Sequence, residues 1–493
     1  MSYSSRLAEF REMISHIEYV KYTLNSLLFW DKMTYMPPEG IEYRSKVMAF
    51  TADEEYRMLS GNRFKNYVEY FDGNRHNDVV TDAMVRRIKR NSEYIRKIPE
   101  DEYSEYIRLI AVSEQVWSEA RKANDYNIFK PYLEQIVGTF RKFAEYWGYE
   151  AAPYDALLSY YEPGVTTSMI DSLVAAIKDE LTALIKKEAE MDRNLKPAQT
   201  IAADGKTQGQ LWHLLLEKIG FSFTAGRVDI GEHPTILANS PSDVRIVNSF
   251  EENDIRDGIF NVLHSGGKGI YQQSIDKGLL GTFLAEAPSN TMEESVGRLY
   301  ENIIGRSRGF WDLVYDEAAE IIPELKGDFD EAFRSVNIHK PSLIRLDADE
   351  MTFLLHIIIR YEVERGLLDG SLSVDDLQTV WADKYQEYLG IKPNNDREGV
   401  LQDIHWASGY FGYFPTYIIS NLAAAQYAAA ITRDCGDMDD LVRDGRIGEI
   451  NKWMKDNVYR YGAVYDSNEL LERATGESLD PKYYLDYLKS RTT

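Results

Sequence analysis

Apolar residues recur at steps of three and four positions through most of this chain of 493 residues. Between residues 5 and 35, one helical face collects Leu7, Phe10, Ile14, Ile17, Val20, Leu24, Leu27 and Leu28, which is the spacing of an amphipathic helix. The same period predicts helices at 41–60, 80–98, 102–123, 126–147, 167–192, 207–219, 251–275, 291–318, 347–365, 373–389, 413–431 and 466–490. The fold is therefore predicted to be mostly α-helical.

One stretch departs from the helical period. Residues 226–250, GRVDIGEHPTILANSPSDVRIVNSF, contain short alternating segments separated at Gly231 and at Ser240–Pro241, and this pattern favours strands joined by turns. No low-complexity linker and no obvious repeat of 20–50 residues divides the sequence. The pattern predicts a single domain over residues 1–493, a large helical unit with a small β-sheet near its middle.

Composition narrows the classes of function. The chain carries 80 acidic and 56 basic residues, a formal net charge of −24, which disfavours non-specific binding to nucleic acid or to an anionic membrane. A cluster of basic residues on a predicted helix is interpreted as a solvated face: Arg86, Arg87, Lys89, Arg90, Arg96 and Lys97. The single cysteine, Cys435, excludes a disulfide framework and a zinc site built from several cysteines.

The sequence also bears on location. The first twenty residues have scattered charges and no apolar core of a signal peptide. No apolar run approaches the ~18–20 residues of a membrane span. We therefore expect a cytoplasmic protein that does not bind membranes.

Residues 264–268 hold the first candidate chemistry. A zinc peptidase helix reads His-Glu-x-x-His, so that two imidazoles on one helix face hold the metal and the Glu activates its water. Here the five positions are His264, Ser265, Gly266, Gly267 and Lys268. Taken alone this is no motif, because a single His on an apolar helix is most often a core residue.

Segments along the whole chain change that interpretation. They are 27–38 (LLFWDKMTYMPP), 117–133, 154–158 (YDALL), 161–164 (YEPG), 233–235 (HPT), 243–247 (DVRIV), 344–349 (IRLDAD), 399–406 (GVLQDIHW), 412–417 (GYFPTY) and 474–477 (ATGE). In this order they resemble the carboxypeptidase Taq family of zinc metallocarboxypeptidases. The resemblance implies a helical fold with a deep cleft that accepts the C-terminal end of a peptide.

The departures from the family pattern fall at the metal site. By resemblance, the metal-site helices lie at about 251–275 and 291–318, and His264 stands at the first zinc ligand. Lys268 replaces the second ligand, and Ser265 takes the position of the general base. Counting back from 298–302 (RLYEN), Glu294 stands at the third ligand.

These substitutions predict a site without metal. A Lys ammonium offers three donors and no acceptor, so it cannot bind zinc, and a Ser hydroxyl is no base near neutral pH. We expect Lys268 to pair with Glu294 and to neutralise it. Two alternatives stay open: a helix cap with Thr291 as N-cap and Glu294 at the third position, and zinc or another divalent metal rescued by His264, Glu293 and Glu294.

The remaining segments that resemble the family predict how a peptide is recognised. Arg245 and Arg345 are the candidates for binding a C-terminal carboxylate, since a guanidinium forms a two-pronged charged contact. The alternative is a structural salt bridge, for example from Arg345 to Asp347 or Asp349. His405 and Tyr417 are the remaining catalytic candidates, as hydrogen-bond donors to a substrate carbonyl, although His405 could equally be packed beside Trp406. His233 lines the cleft by resemblance only.

Three hypotheses follow for the function. The first is a carboxypeptidase-like protein that binds peptide or protein C-termini and is inactive or strongly impaired, with no cofactor. The second is an active hydrolase with a rearranged metal site. The third is an interaction protein with a relic cleft. The resemblance also implies a homodimer.

Overall fold

The structure is a computed structural model that describes residues 2–74, 78–192, 200–231, 234–337 and 341–491, without the side chains of 188–192. Helices dominate it, which confirms the predicted fold class. The first ten are α1 (Tyr3–Tyr22), α2 (Phe29–Thr34), α3 (Ile41–Ser60), α4 (Asn62–Gly73), α5 (Val79–Arg96), α6 (Glu100–Ala123), α7 (Tyr126–Trp147), α8 (Pro153–Tyr161), α9 (Thr167–Asp192) and α10 (Gly205–Ile219).

The second half of the chain continues the helical pattern. After the sheet come α11 (Arg256–Ser274), α12 (Asn290–Arg298), α13 (Arg308–Ile321), α14 (Phe329–Val336), α15 (Phe353–Asp369), α16 (Leu377–Leu389), α17 (Pro415–Cys435), α18 (Met438–Arg443), α19 (Ile447–Asn457), α20 (Ser467–Thr475) and α21 (Lys482–Arg491). Helices α3, α7 and α9 have the predicted bounds. The short helices α4, α8, α14, α18 and α19 were not predicted.

Three predicted helices are interrupted. The first contains a π-helical segment, Thr23–Leu28, between α1 and α2, and a second π-helical segment, Leu299–Ile304, follows α12. The predicted helix 466–490 is two helices, because Gly476 ends α20 with a φ of 92° and Pro481 precedes α21. π-Helical segments often occur at functional sites, and both of these adjoin the sites described below.

The predicted sheet is present and has three strands. The strands are β1 (Gly226–Ile230), β2 (Thr235–Ser240) and β3 (Asp243–Asn248). Strand β3 lies in the centre, parallel to β1 and antiparallel to β2. Val244 and Ile246 of β3 are fully buried, so one face of the sheet packs on the core and the residues between them point to the other face.

The chain divides into two compact units. Unit 1 holds the described residues of Met1–Arg90, Ala198–Asn337 and Ala423–Leu479, and unit 2 those of Asn91–Pro197, Ile338–Leu422 and Asp480–Thr493. The single domain over 1–493 stays a prediction. None of the described helices has the length and apolar character needed to cross a bilayer.

Candidate functional site

Helices α11 and α12 of unit 1 bring the predicted metal-site residues together. His264 and Lys268 are one turn apart on α11, and Glu293 and Glu294 lie in the first turns of α12. Gly267 allows a close approach, because a Cβ there would lie 2.5 Å from Cδ2 of Tyr300. The glycines of this helix therefore have a packing function: they let its neighbours reach the backbone.

The predicted ion pair between Lys268 and Glu294 is confirmed. Lys268 Nζ lies 2.7 Å from Glu294 Oε1 and 3.7 Å from Glu293 Oε2. Both members of the closer pair are largely buried, with side chains 12% and 9% exposed. Burial acts to raise the pKa of Glu294, but the Lys268 ammonium and His264 outweigh it and hold that pKa well below its usual range.

His264 lies between two carboxylates. Its Nδ1 is 2.9 Å from Glu301 Oε2, and its Nε2 is 3.3 Å from Glu294 Oε2. Gly297 lies against the ring, since a Cβ there would be 2.4 Å from Cε1 of the imidazole. Burial acts to lower the pKa of His264, but Glu294 and Glu301 outweigh it and raise the pKa above its ordinary value.

Glu301 and Arg298 complete this set and were missed as site residues. Arg298 Nη1 lies 2.9 Å from Glu301 Oε2, and Gln272 donates a hydrogen bond of 2.8 Å to Glu293. Glu301 belongs to the π-helical segment Leu299–Ile304. We call His264, Lys268, Glu293, Glu294, Arg298 and Glu301 the Lys268 cluster.

Two details at this site concern Ser265 and the start of α12. Ser265 is 4% exposed on α11. The predicted cap is wrong: the N-cap of α12 is Ser289, whose hydroxyl accepts from the backbone N–H of Met292. The helix thus starts before Thr291, and Glu294 is not used as part of a capping box on that residue.

A second cluster of charges lies in unit 2. Asp403 Oδ1 is 2.8 Å from Arg345 Nη2, and Asp403 Oδ2 is 2.5 Å from Arg360 Nη2. Gln402 accepts hydrogen bonds from the backbone N–H of Arg345 at 2.9 Å and from Arg360 Nη2 at 2.7 Å. We call Arg345, Arg360, Gln402 and Asp403 the Asp403 cluster.

Arg345 forms a salt bridge, which was the alternative to carboxylate binding. Its partner is Asp403, and neither Asp347 nor Asp349. The chain returns 58 residues later to supply Asp403, while Asp349 Oδ1 accepts from the backbone N–H groups of Met351 and Thr352. Burial acts to raise the pKa of Asp403, but Arg345 and Arg360 outweigh it and lower that pKa strongly. Asp403 is thus an anion under all ordinary conditions.

His405 and Tyr417 lie among aromatic side chains of unit 2. The imidazole of His405 packs on Phe414 with ring centroids 4.7 Å apart, and its Nδ1 is 3.9 Å from Asp403. Burial lowers the pKa of His405 to about 4, so the ring is neutral at pH 7. Tyr417 has its hydroxyl 3.3 Å from that of Tyr413. A catalytic function for either residue stays a prediction.

Arg245 lies on β3 of unit 1 and is held from two sides. Its Nε and Nη2 donate to the two carboxylate oxygens of Asp243, at 2.9 and 3.1 Å. Its guanidinium carbon lies 4.3 Å from the ring centre of Trp30, and the Trp30 indole N–H donates to Asp229 at 3.0 Å. His233, the remaining predicted residue, lies outside the described residues.

Comparison with known proteins identifies the class. Residues 9–492 match the carboxypeptidase Taq (M32) metallopeptidase family. Carboxypeptidase 1 of Bacillus subtilis is 36% identical over 98% of this chain and 97% of its own length. Thermostable carboxypeptidase 1 of Thermus thermophilus is 34% identical over 95% of each chain. The carboxypeptidase structure from Pyrococcus furiosus superimposes with a TM-score of 0.95 at 30% identity, over 100% of this chain and 99% of that one.

The chain therefore belongs to the carboxypeptidase Taq (M32) metallopeptidase family. A catalytic zinc takes three protein ligands and keeps a position for water. His264 and Glu294 carry donors that zinc accepts, but a Lys ammonium has no free lone pair. Within the described ranges, no group of three or more His, Cys, Asp or Glu side chains is arranged to hold a metal ion. By the chemistry of their donors, the three positions that the resemblance assigns to the metal thus offer two zinc ligands and one ammonium, which does not fit a three-ligand zinc site.

Proposed function

We propose that this chain binds the C-terminal end of peptides or proteins and does not hydrolyse them by the zinc-dependent route of its family. The observation that carries this proposal is the Lys268 ammonium, 2.7 Å from Glu294. It is a cation that belongs to the chain itself, and it engages the carboxylate that would otherwise be offered to a metal. A metal ion that entered would have to break this buried pair and would meet a like charge.

The position of the general base supports the same conclusion. Ser265 is buried in α11, and a hydroxyl with an ordinary pKa takes no proton from water near pH 7. Loss of a general base alone costs about 10²–10⁴ in rate. Since metal and base act as a unit, we expect any remaining peptidase activity to be far below that of a family member with an intact site.

The recognition of a carboxylate is supported by two arginines. Arg245 and Arg345 each present Nε and Nη2 to an aspartate, Asp243 and Asp403 respectively. In the described part of the chain, Nη1 of neither guanidinium has a hydrogen-bond partner. Each arginine is thus fixed in position by its aspartate and keeps donor capacity for a further carboxylate.

The first test separates binding from hydrolysis. The full-length protein is expressed with zinc in the medium, its metal content is measured, and hydrolysis of an N-blocked dipeptide is followed with added zinc and with chelator. We expect less than a tenth of an equivalent of tightly bound zinc and no zinc-dependent release of the C-terminal residue. Stoichiometric zinc with rapid hydrolysis would instead establish an active enzyme with a rearranged site.

The second test measures recognition. A fluorescein-labelled pentapeptide with a free C-terminus is compared with its C-terminal amide by fluorescence anisotropy, in chelator. The free acid is expected to bind about tenfold or more tightly, because a charge-assisted contact to an arginine contributes about 1.5–3 kcal/mol. Equal affinity of acid and amide would leave a relic cleft as the better explanation. The homodimer is also a proposal, which light scattering coupled to size exclusion tests.

A further inference from the structure

An apolar cavity lies on unit 1 beside the face of the sheet that carries Arg245. It has a volume of about 480 Å³ and is lined by Leu24, Phe29, Met48, Ala49, Ala52 and Leu237, with Asn25 as its polar member. This volume lies within the range of about 300–1,000 Å³ found for small-molecule pockets. The walls are the π-helical segment Thr23–Leu28, the start of α2, one face of α3 and strand β2.

Strand pairing connects this cavity to Arg245. Leu237 of β2 lies directly opposite Arg245 of β3 in the antiparallel register. Residues directly opposite in such a pair project from the same face of the sheet, with their Cβ atoms about 4.5–5.5 Å apart. The Leu237 wall and the guanidinium of Arg245 are therefore neighbours on one surface.

The segment before α3 fixes the same surface from the other side. Trp30 follows the cavity residue Phe29 directly in the chain and stacks on Arg245 at 4.3 Å. Ser26 of the π-helical segment donates a hydrogen bond of 3.1 Å to the backbone carbonyl of Ala238, next to Leu237. The cavity and the arginine are thus held by the same two elements, the π-helical segment with α2 and the β2–β3 pair.

The arginines at this surface are held in two arginine–aspartate pairs, so these four side chains together carry no excess charge. Arg227 donates through Nε and Nη2 to Asp229, and Arg245 does the same to Asp243. Both guanidiniums lie against Trp30, at 5.1 and 4.3 Å, which keeps their planes fixed. The cavity itself offers mostly hydrocarbon, so an acidic or basic side chain placed in it would lose its hydration without a partner.

We propose that this surface binds the last residue of a peptide whose C-terminal side chain is apolar. The terminal carboxylate lies against Nη1 of Arg245, and a side chain such as Leu or Phe enters the cavity between Phe29, Met48 and Leu237. This inference rests on the proposed function and makes it more specific, since it names the arginine and the class of C-terminal residue.

The test uses labelled pentapeptides that differ only in the last residue: Leu, Phe, Ser or Asp, each as free acid and as amide. Binding to the full-length protein is measured by fluorescence anisotropy in chelator. The Leu and Phe acids are expected to bind about tenfold to a hundredfold more tightly than the Ser acid, which is the effect of burying one such side chain. The Asp acid is expected to bind no more tightly than Ser.

Four variants locate the effect. Ala52→Trp fills the cavity from the exposed side of α3 and is expected to reduce the Leu-to-Ser preference at least fivefold, with little change for the Ser peptide. Ala111→Trp, at an exposed alanine of α6, is the matched control and should leave the preference unchanged. Arg245→Gln is expected to weaken every free acid about tenfold and to leave the amides unaffected. Ala49→Trp serves as a second filling variant, and thermal melting confirms that each variant is folded.

The outcomes distinguish this inference from the proposed function. If the free acids bind better than the amides but Leu and Ser peptides have equal affinity, or if both filling variants retain the preference, the cavity assignment is wrong while C-terminal recognition stands. If only Arg345→Gln, and not Arg245→Gln, weakens the acids, the assignment is also wrong. If no peptide binds, or acid and amide bind equally, both proposals fall.

Discussion

The Lys268 cluster of unit 1 and the Asp403 cluster of unit 2 are both buried networks of charges, but their balance is opposite. The Lys268 cluster joins three carboxylates, Glu293, Glu294 and Glu301, to two permanent cations and one imidazole. The Asp403 cluster joins one carboxylate to two guanidiniums. The first cluster therefore has its charges matched only when His264 is protonated, and the second has one positive charge in excess.

This difference sets the sign of the ion that each network attracts. A network with an excess guanidinium attracts an anion. A network of carboxylates requires a cation, which a metal supplies in a metallopeptidase and which Lys268 supplies here. By resemblance, the segment 399–406, which contains Asp403, matches the family pattern in full, whereas the segment 264–268, which contains Lys268, departs from it. Under the proposed function, an attached cation thus takes the place of one that would have to be acquired.

The largest effect is expected from breaking the Asp403 cluster. Asp403→Asn removes the only carboxylate of that cluster and leaves the buried guanidiniums of Arg345 and Arg360 without their shared anion. Removing one partner of a buried ion pair typically costs about 3–5 kcal/mol, and we expect a loss of this size in the free energy of unfolding, measured by urea titration. Asp375→Asn is the control, because Asp375 pairs with Lys130 at the surface and is 71% exposed. A loss below 1 kcal/mol for Asp403→Asn would mean that the two guanidiniums do not depend on Asp403 for compensation of their charge.

The next effect concerns the pH dependence of stability that arises in unit 2. Glu364 of α15 is buried in unit 2 and accepts hydrogen bonds from Tyr154 at 2.6 Å, Trp406 at 2.8 Å and the backbone N–H of Gly412 at 2.9 Å. Burial nevertheless raises its pKa from 4.5 to about 7. The folded protein therefore holds this proton between pH 4.5 and 7 while the unfolded chain releases it, so that stability decreases as pH rises through this range.

The expected decrease is about 3 kcal/mol between pH 4.5 and 7, from about 1.4 kcal/mol per pKa unit. Unfolding by urea at several pH values measures it, and the Glu364→Gln variant, which cannot titrate, should lose this part of the slope. The slope of the unfolding free energy against pH is compared, and not the free energy at one pH, because Gln also changes the hydrogen bonds to Tyr154 and Gly412. An unchanged slope in Glu364→Gln would show that Glu364 is ionised in the folded protein at pH 5.

Much of the fold could be predicted from the sequence, because long amphipathic helices carry a clear period. Helices α3, α7 and α9 were predicted with their bounds, and the alternation in 226–250 indicated the sheet. Helices of six to twelve residues, such as α18 and α4, span too few turns for the period to be distinguished from a loop. The π-helical segments were missed since their hydrogen bonding leaves no mark in a 3.6-residue pattern.

Only part of the candidate site could be predicted, because some of its contacts depend on tertiary packing. The pairing of Lys268 with Glu294 could be predicted from the one-turn spacing of His264 and Lys268 and from the resemblance that places Glu294 at the third ligand position. The contact of His264 with Glu301 depends on the π-helical segment, and the contact of Arg345 with Asp403 depends on how distant parts of unit 2 pack. Neighbours in the sequence, Asp347 and Asp349, were therefore the wrong partners for Arg345. Tertiary packing decides such contacts, and no local pattern encodes them.

The smallest expected effect that tests the comparison of the two clusters comes from substitution of Lys268. Lys268→Met removes the built-in cation, but His264 remains 3.3 Å from Glu294, so we expect a loss of about 2 kcal/mol in the free energy of unfolding, less than for Asp403→Asn.

The double variant Lys268→Met with Glu294→Gln removes both charges and should recover at least half of this loss, which corresponds to a coupling of about 1–3 kcal/mol between the two side chains. Lys142→Met is the matched control, since the pair of Lys142 with Glu102 is exposed and exposed pairs contribute about 0–1 kcal/mol. If Lys268→Met is as stable as the parent protein at pH 7 and the double variant shows no coupling, then the ammonium does not compensate Glu294, and the two clusters differ in composition only. A measurable coupling would show that the carboxylate of Glu294 depends on an attached cation, which is the feature that separates this cluster from the one around Asp403.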